Sequence, residues 1–147
     1  MEIRKRASMR ENIVLRVASD YLIPPILVFA LYVQWHGDFG PGGGFQAGVI
    51  FAAGIILYAL IHGLERTQRA VPPGAVRFFI AFGWLLYIGV GVLGMLRGGN
   101  FLDYGVLAHD PLHGQHWGIL AIELGVGITV ASVMIAVFYA FAGRGRR

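Results

Sequence analysis

One carboxylate stands out in this sequence. Glu123 lies within ILAIELGVGITV, an apolar run that holds no other ionisable residue. A charge near the centre of a membrane helix costs about 2.5–3.5 kcal/mol by insertion scales, so such residues usually face a bundle interior or a hydrated path. Apolar surroundings also favour the neutral form of a carboxyl. The group could therefore take up and release protons or hold a small cation. The competing reading is a carboxyl hydrogen-bonded to a neighbouring helix or protein, where it fixes assembly. His116 precedes Glu123 by seven residues and falls on nearly the same helical face. At ~1.5 Å per residue the separation is about 10 Å, too long for contact but suited to a water-bridged step. Imidazole has the titration range for that role.

Three further motifs invite chemistry. GDFGPGGGFQAG (Gly37–Gly48) could suggest a phosphate cradle, but it lacks the G-K-[ST] of a P-loop. Pro41, Gly42, Gly43, Gly44 and Phe45 read instead as a tight turn into the next helix, with Gly44 and Gly48 at GxxxG spacing for close packing. GVGVLG (Gly89–Gly94) matches G-x-G-x-x-G but sits in an apolar segment with no strand before it, so its glycines read as a helix-packing surface. HDPLHGQH brings His109, His113 and His116 close in sequence, yet Pro111 and Gly114 interrupt it. A solvated loop is expected there, with no metal site and no cofactor.

The elements that must carry these groups are apolar helices. Of 147 residues, 56% are hydrophobic and 14% charged. Soluble domains run near 45–50% and ~25%. A mean hydropathy of +0.65 agrees with a bilayer as solvent. Four segments reach the ~20 residues that a ~30 Å core requires, at about 12–36, 45–64, 76–96 and 117–142. Ser8 and Glu11 stand at capping-box spacing before the first. Pro24 and Pro25 fall inside it and should kink it. An interfacial helix over 8–19 followed by a short span is the alternative. Trp35, Trp117 and Tyr139 read as interfacial anchors, and Arg16 and Asp20 as a local i,i+4 pair.

Charge placement turns the spans into a topology. The N-terminal tail, the 65–77 loop and the C-terminal tail hold eleven of the twelve basic residues, and only Arg97 lies in the two other loops. By the positive-inside rule both termini are cytoplasmic. The expected fold is an all-α integral membrane protein: four transmembrane helices in a single domain over residues 1–147. The N-terminus lacks an A-x-A-like site and is not read as a cleavable signal.

Several functions are excluded. The absence of cysteine removes disulfide frameworks, thiolate metal sites and cysteine nucleophiles. The net charge of +4 is not arranged as a basic stripe, which argues against nucleic acid. His36 and His62 fall on opposite membrane sides and cannot share a haem iron.

Taken together, LIPPILVFALYVQWHG, PGGGFQAG and GQHWGILAIELGVGITVASVMIAVFY resemble the MrpB or MnhB family of small proteins in multisubunit cation/proton antiporters. The match runs from about Leu22 to Tyr139. The resemblance implies an accessory subunit in a bacterial or archaeal plasma membrane. It would be assembled with large antiporter-like subunits and other small subunits that exchange Na⁺ for H⁺. It also implies that Pro41, Gly42, Gly43, Gly44 and Phe45 form a shared loop motif and that Glu123 is the acidic position of the late helix. Related subunits occur in hydrogenase-type complexes, so a membrane-anchor role there is the alternative. A stand-alone small proton-coupled transporter fits poorly, because dual-topology exporters need a weak charge bias and this one is strong. The apolar segments contain no lysine, so the chain lacks the relay of the large ion-pumping subunits.

The missing cysteine makes the topology directly testable. Ser8→Cys and Arg144→Cys should resist a membrane-impermeant thiol reagent in intact cells, while Asn100→Cys should react. Labelling of either terminal variant from outside would reverse the orientation.

Overall fold

The computed structural model describes residues 12–37, 42–108 and 110–144. Helix α1 (Ile13–His36) starts where the Asn12 side chain accepts from the backbone N–H groups of Val14 and Leu15, satisfying donors that a helix start leaves open. Ser8 and Glu11 lie outside the described residues. The helix runs on through Pro24 and Pro25 as one element. Helix α2 (Gly44–His62) is followed by a short α3 (Leu64–Ala70). Thr67 in α3 is buried, with its hydroxyl donating to the Gly63 carbonyl at 3.0 Å.

Helix α4 (Pro73–Leu96) opens on a proline, whose fixed φ suits a first helical position and whose missing N–H costs nothing there. It therefore begins earlier than residue 76. A 3₁₀ turn (Tyr104–Leu107) leads to α5 (Pro111–Arg144), which spans 34 residues. This helix begins six residues before the expected 117 for the same reason: Pro111 stands at its start and the Asp110 carboxylate accepts from Leu112 N–H. The GQHW stretch is thus helix rather than loop. Helices α1, α2, α4 and α5 are each long and apolar enough to cross a membrane, and no strand occurs among the described residues.

The spans pack in the order α1–α2–α5–α4, with α5 central and α1 held chiefly by α2. The α4–α5 approach is close because Gly83 and Gly125 face each other; a Cβ on Gly83 would lie 2.7 Å from the Gly125 carbonyl oxygen. The GVGVLG glycines do not supply that contact. Gly89 faces open space, and Gly91 receives the Phe101 ring from the following loop. This corrects their reading as a helix-packing surface.

Because α1 and α4 flank the central pair, a cleft of about 410 Å³ opens between them, with Gly48, Gly127 and Ala131 among its lining. Its 70–72 end is held by a hydrogen bond from the Tyr139 hydroxyl to the Val71 carbonyl, 3.0 Å. Tyr139 is buried in a cluster with Ala52, Leu64, Val76 and Ile135, so it is a core residue rather than an interfacial anchor. Trp35 and Trp117 are exposed.

Tyr139→Phe removes one neutral hydrogen bond while keeping the ring, and should lower stability by about 1 kcal/mol. Denaturant titration of the detergent-solubilised chain would measure it; a loss near zero would mean that the Val71 contact is not stabilising.

Candidate functional site

The site forms where α1 ends, α2 begins and α5 passes behind both. Gly37 closes α1 and Gly43 precedes α2. Gly43 has φ 109° and ψ −178°, a region that is essentially glycine-only. Its N–H donates to the Val33 carbonyl in the last turn of α1 at 3.3 Å, tying the two helix ends together.

Glu123, half-buried on α5, lays its carboxylate against this junction. A Cβ on Gly43 would lie 2.7 Å from Oε1, and a Cβ on Gly37 would meet both carboxylate oxygens. The next positions continue the seam. A Cβ on Gly44 would collide with the Glu123 carbonyl, and one on Gly48 would lie 2.6 Å from the Gly127 carbonyl oxygen. The residues from Gly43 to Gly48 thus let the α2 backbone approach α5 from Glu123 to Gly127, and the missing side chains make the room that the carboxylate fills.

The chemical surroundings are set by helix ends. The first turn of a helix offers unpaired N–H donors and the last turn offers unpaired carbonyls. The Glu123 carboxylate stands between the start of α2 and the end of α1, so donors suited to an anion and oxygens suited to a proton or small cation lie on its two sides. Gln34, one turn before Gly37, is 6% exposed. Its Oε1 lies against Gly127, one turn beyond Glu123, and its Nε2 is buried without a hydrogen-bond partner among the described residues.

The remaining expected residues are placed as follows. His116 is exposed on α5, with its ring 6.1 Å from that of Trp117. Twelve residues of α5, from Pro111 to Glu123, extend past the carboxylate, about 18 Å at ~1.5 Å each. Glu123 is therefore level with the α1–α2 junction and not with the tip of its own helix. Phe45 is exposed and Gly42 borders the Val33 carbonyl. Pro41 and His109 lie outside the described residues. His113 Nδ1 is 2.8 Å from Asp110 Oδ2, and this hydrogen bond, with one from Leu112 N–H, holds the Asp110 carboxyl below the usual carboxylate range. Asp20 does not pair within α1 as expected: it reaches across to His62 on α2 at 2.7 Å, because the buried imidazole offers a fixed partner that a flexible, exposed arginine does not.

Residues 14–136 match the family described as the domain related to the MnhB subunit of Na⁺/H⁺ antiporter. The matched stretch contains α2 and α4, the junction and Glu123. The chain belongs to the MnhB family. Similar curated proteins named antiporter subunit mnhB2 occur in Staphylococcus aureus strain Newman, 31% identical over 139 residues, covering 92% of this chain and 98% of the relative. A protein of the same name in Staphylococcus haemolyticus is 30% identical with the same coverage. An MnhB-family chain with four apolar spans is a multi-pass membrane protein and a component of a multisubunit antiporter.

Sequence reasoning marks Gly43, Gly44, Gly48 and Glu123 separately; this MnhB-family fold brings them together along one seam. It misses Gly37 and Gln34 as members. Gly37 only opens the glycine-rich motif and Gln34 sits in the last turn of α1, and only the antiparallel return of α2 brings them to α5.

Gly43→Ala should strain the backbone by about 1–3 kcal/mol and displace the Glu123 carboxylate. Gly89→Ala, whose Cβ would meet nothing within 4 Å, should be neutral. Thermal unfolding of the two variants side by side tests this. Equal behaviour would mean that the junction tolerates a side chain.

Proposed function

We propose that this chain is an accessory subunit of a Na⁺/H⁺ antiporter complex, in which Glu123 lines a proton or cation path at the α1–α2 junction. The observation that carries the reading is the contact of the carboxylate with Gly37 and Gly43, between two helix ends of opposite polarity. Discontinuous helix ends beside an acid are a recurrent way to bind a proton or a hard cation at membrane depth, since irregular backbone is tolerated there only where it is covered by protein or water. Because α5 extends past this point, Glu123 lies against the α1–α2 junction and not at a helix tip. His116, farther along α5, places an imidazole between Glu123 and the outside.

The basic tails orient both termini toward the cytoplasm of a bacterial or archaeal cell. The partners are the large antiporter-like subunits and other small membrane subunits. The names of the relatives favour an antiporter over a hydrogenase-type complex. The chain works through those partners and has no catalytic activity of its own.

Glu123→Gln preserves shape and hydrogen bonding but not proton exchange. In vesicles carrying the assembled complex it should lower Na⁺/H⁺ exchange by about tenfold or more, while all subunits still copurify in mild detergent. Unchanged exchange would end the proton-path reading, and loss of copurification would assign the carboxyl to assembly.

A further inference from the structure

A second ionisable group lies at the far end of the same two helices. His62, the last residue of α2, places Nε2 2.7 Å from Asp20 Oδ1 on α1. Sixteen residues of α1 separate Asp20 from His36, about 24 Å of helix at ~1.5 Å each. The pair is therefore remote from Glu123. The imidazole is enclosed, with 5% of its side chain exposed against 56% for Asp20. The Tyr58 ring stacks on it at 4.5 Å, and Nδ1 is buried without a hydrogen-bond partner among the described residues.

These features exceed what a clamp between two helices needs. Neutral polar side chains can join helices without placing an acid in a span, where acids are costly and by default functional. Pro24 has no N–H, so the Asp20 carbonyl loses its usual helical donor. That leaves a backbone acceptor next to the carboxylate, and the two together suit water. An unpaired buried nitrogen is destabilising. Here it belongs to a ring whose other nitrogen faces an accessible acid. An imidazole whose acceptor nitrogen faces an acid can take a proton there and return it by the same route. Charged and titratable groups toward this end of the surrounding elements include Arg16, Asp20 and Tyr21 on α1, Tyr58 on α2, Glu65, Arg66 and Arg69 on α3, and Tyr139 and Arg144 on α5. Asp20 is hydrogen-bonded to the ring.

We propose that Asp20 and His62 form a proton-binding site at the end of α1 and α2 opposite Glu123. A proton arriving on Asp20 passes to Nε2, leaving a carboxylate beside an imidazolium. Return of that proton to the exposed Asp20 carboxylate, and from there to water, restores the neutral ring. The inference rests on the reading of the chain as part of a proton-coupled exchanger, and gives it a second proton site.

The test is ¹⁵N-histidine NMR of the complex purified in mild detergent, with the His62 signal assigned through its contact with the Tyr58 ring, alongside exchange in vesicles. The ring nitrogen shifts of the wild-type complex should respond to pH. Asp20→Asn should alter that response through loss of the neighbouring negative charge, and His62→Gln should shift the pH profile of exchange. A ring whose shifts do not respond to pH overturns the proposal, as does a response unaltered by Asp20→Asn or an unchanged pH profile in assembled His62→Gln complex. If Glu123→Gln abolishes exchange while the Asp20 and His62 variants behave as wild type, this site falls and the antiporter role of Glu123 stands.

Discussion

The structure depends on one steric condition: where α2 crosses α5, no Cβ may intervene. Gly44 lies on the Glu123 carbonyl and Gly48 on that of Gly127, so the two backbones meet at a distance that larger residues would forbid. Once that seam closes, the preceding residues must turn sharply to join α1, and Gly43 takes the backbone conformation that permits it. Gly37 and Gly43 then flank Glu123. A carboxylate in an apolar helix thereby acquires polar company from the backbone of two neighbouring helix ends.

The same condition shapes the rest of the molecule. A central α5 is gripped by α2 through one glycine face and by α4 through another, at Gly125. Helix α1 reaches α5 only slightly and is stationed by α2. The spans consequently form a row with a cleft along it, not a closed bundle. A buried apolar cluster gathers around Tyr139 and Leu64, at the opposite end from Glu123. Packing is tightest through hydrophobic volume at one end and through backbone contact at the other.

Much of this was legible in the sequence, for identifiable reasons. The spans follow from apolar length, and the junction glycines are adjacent in the chain, so a turn into a close-packed helix could be read from them. Glu123 was conspicuous because its neighbours are apolar. Relations between helices were not legible. Nothing local distinguishes Gly83, which packs on α5, from Gly89, which packs on nothing, since the difference is which face α4 turns inward. Tyr139 has the composition of an interfacial anchor and becomes a core residue because Val71 lies within reach. Asp20 sits four residues from Arg16, which makes a local pair the natural expectation. Its actual partner is 42 residues away. Helix starts at Pro73 and Pro111 fall outside the expected spans because hydropathy marks where lipid ends, whereas proline and a capping acid mark where the helix begins.

The double proline of α1 takes on a mechanical meaning. One end of this helix presents Gly37 to Glu123, and near the other Asp20 holds His62. Pro24 and Pro25 interrupt the hydrogen-bond ladder about one turn from Asp20. The helix is thus held at both ends, by Asp20 on His62 and by the Val33 carbonyl on Gly43. The prolines leave its middle as the place where the ladder is weakest, between the pair at one end and, at the other, the residue that bounds the space around the carboxylate.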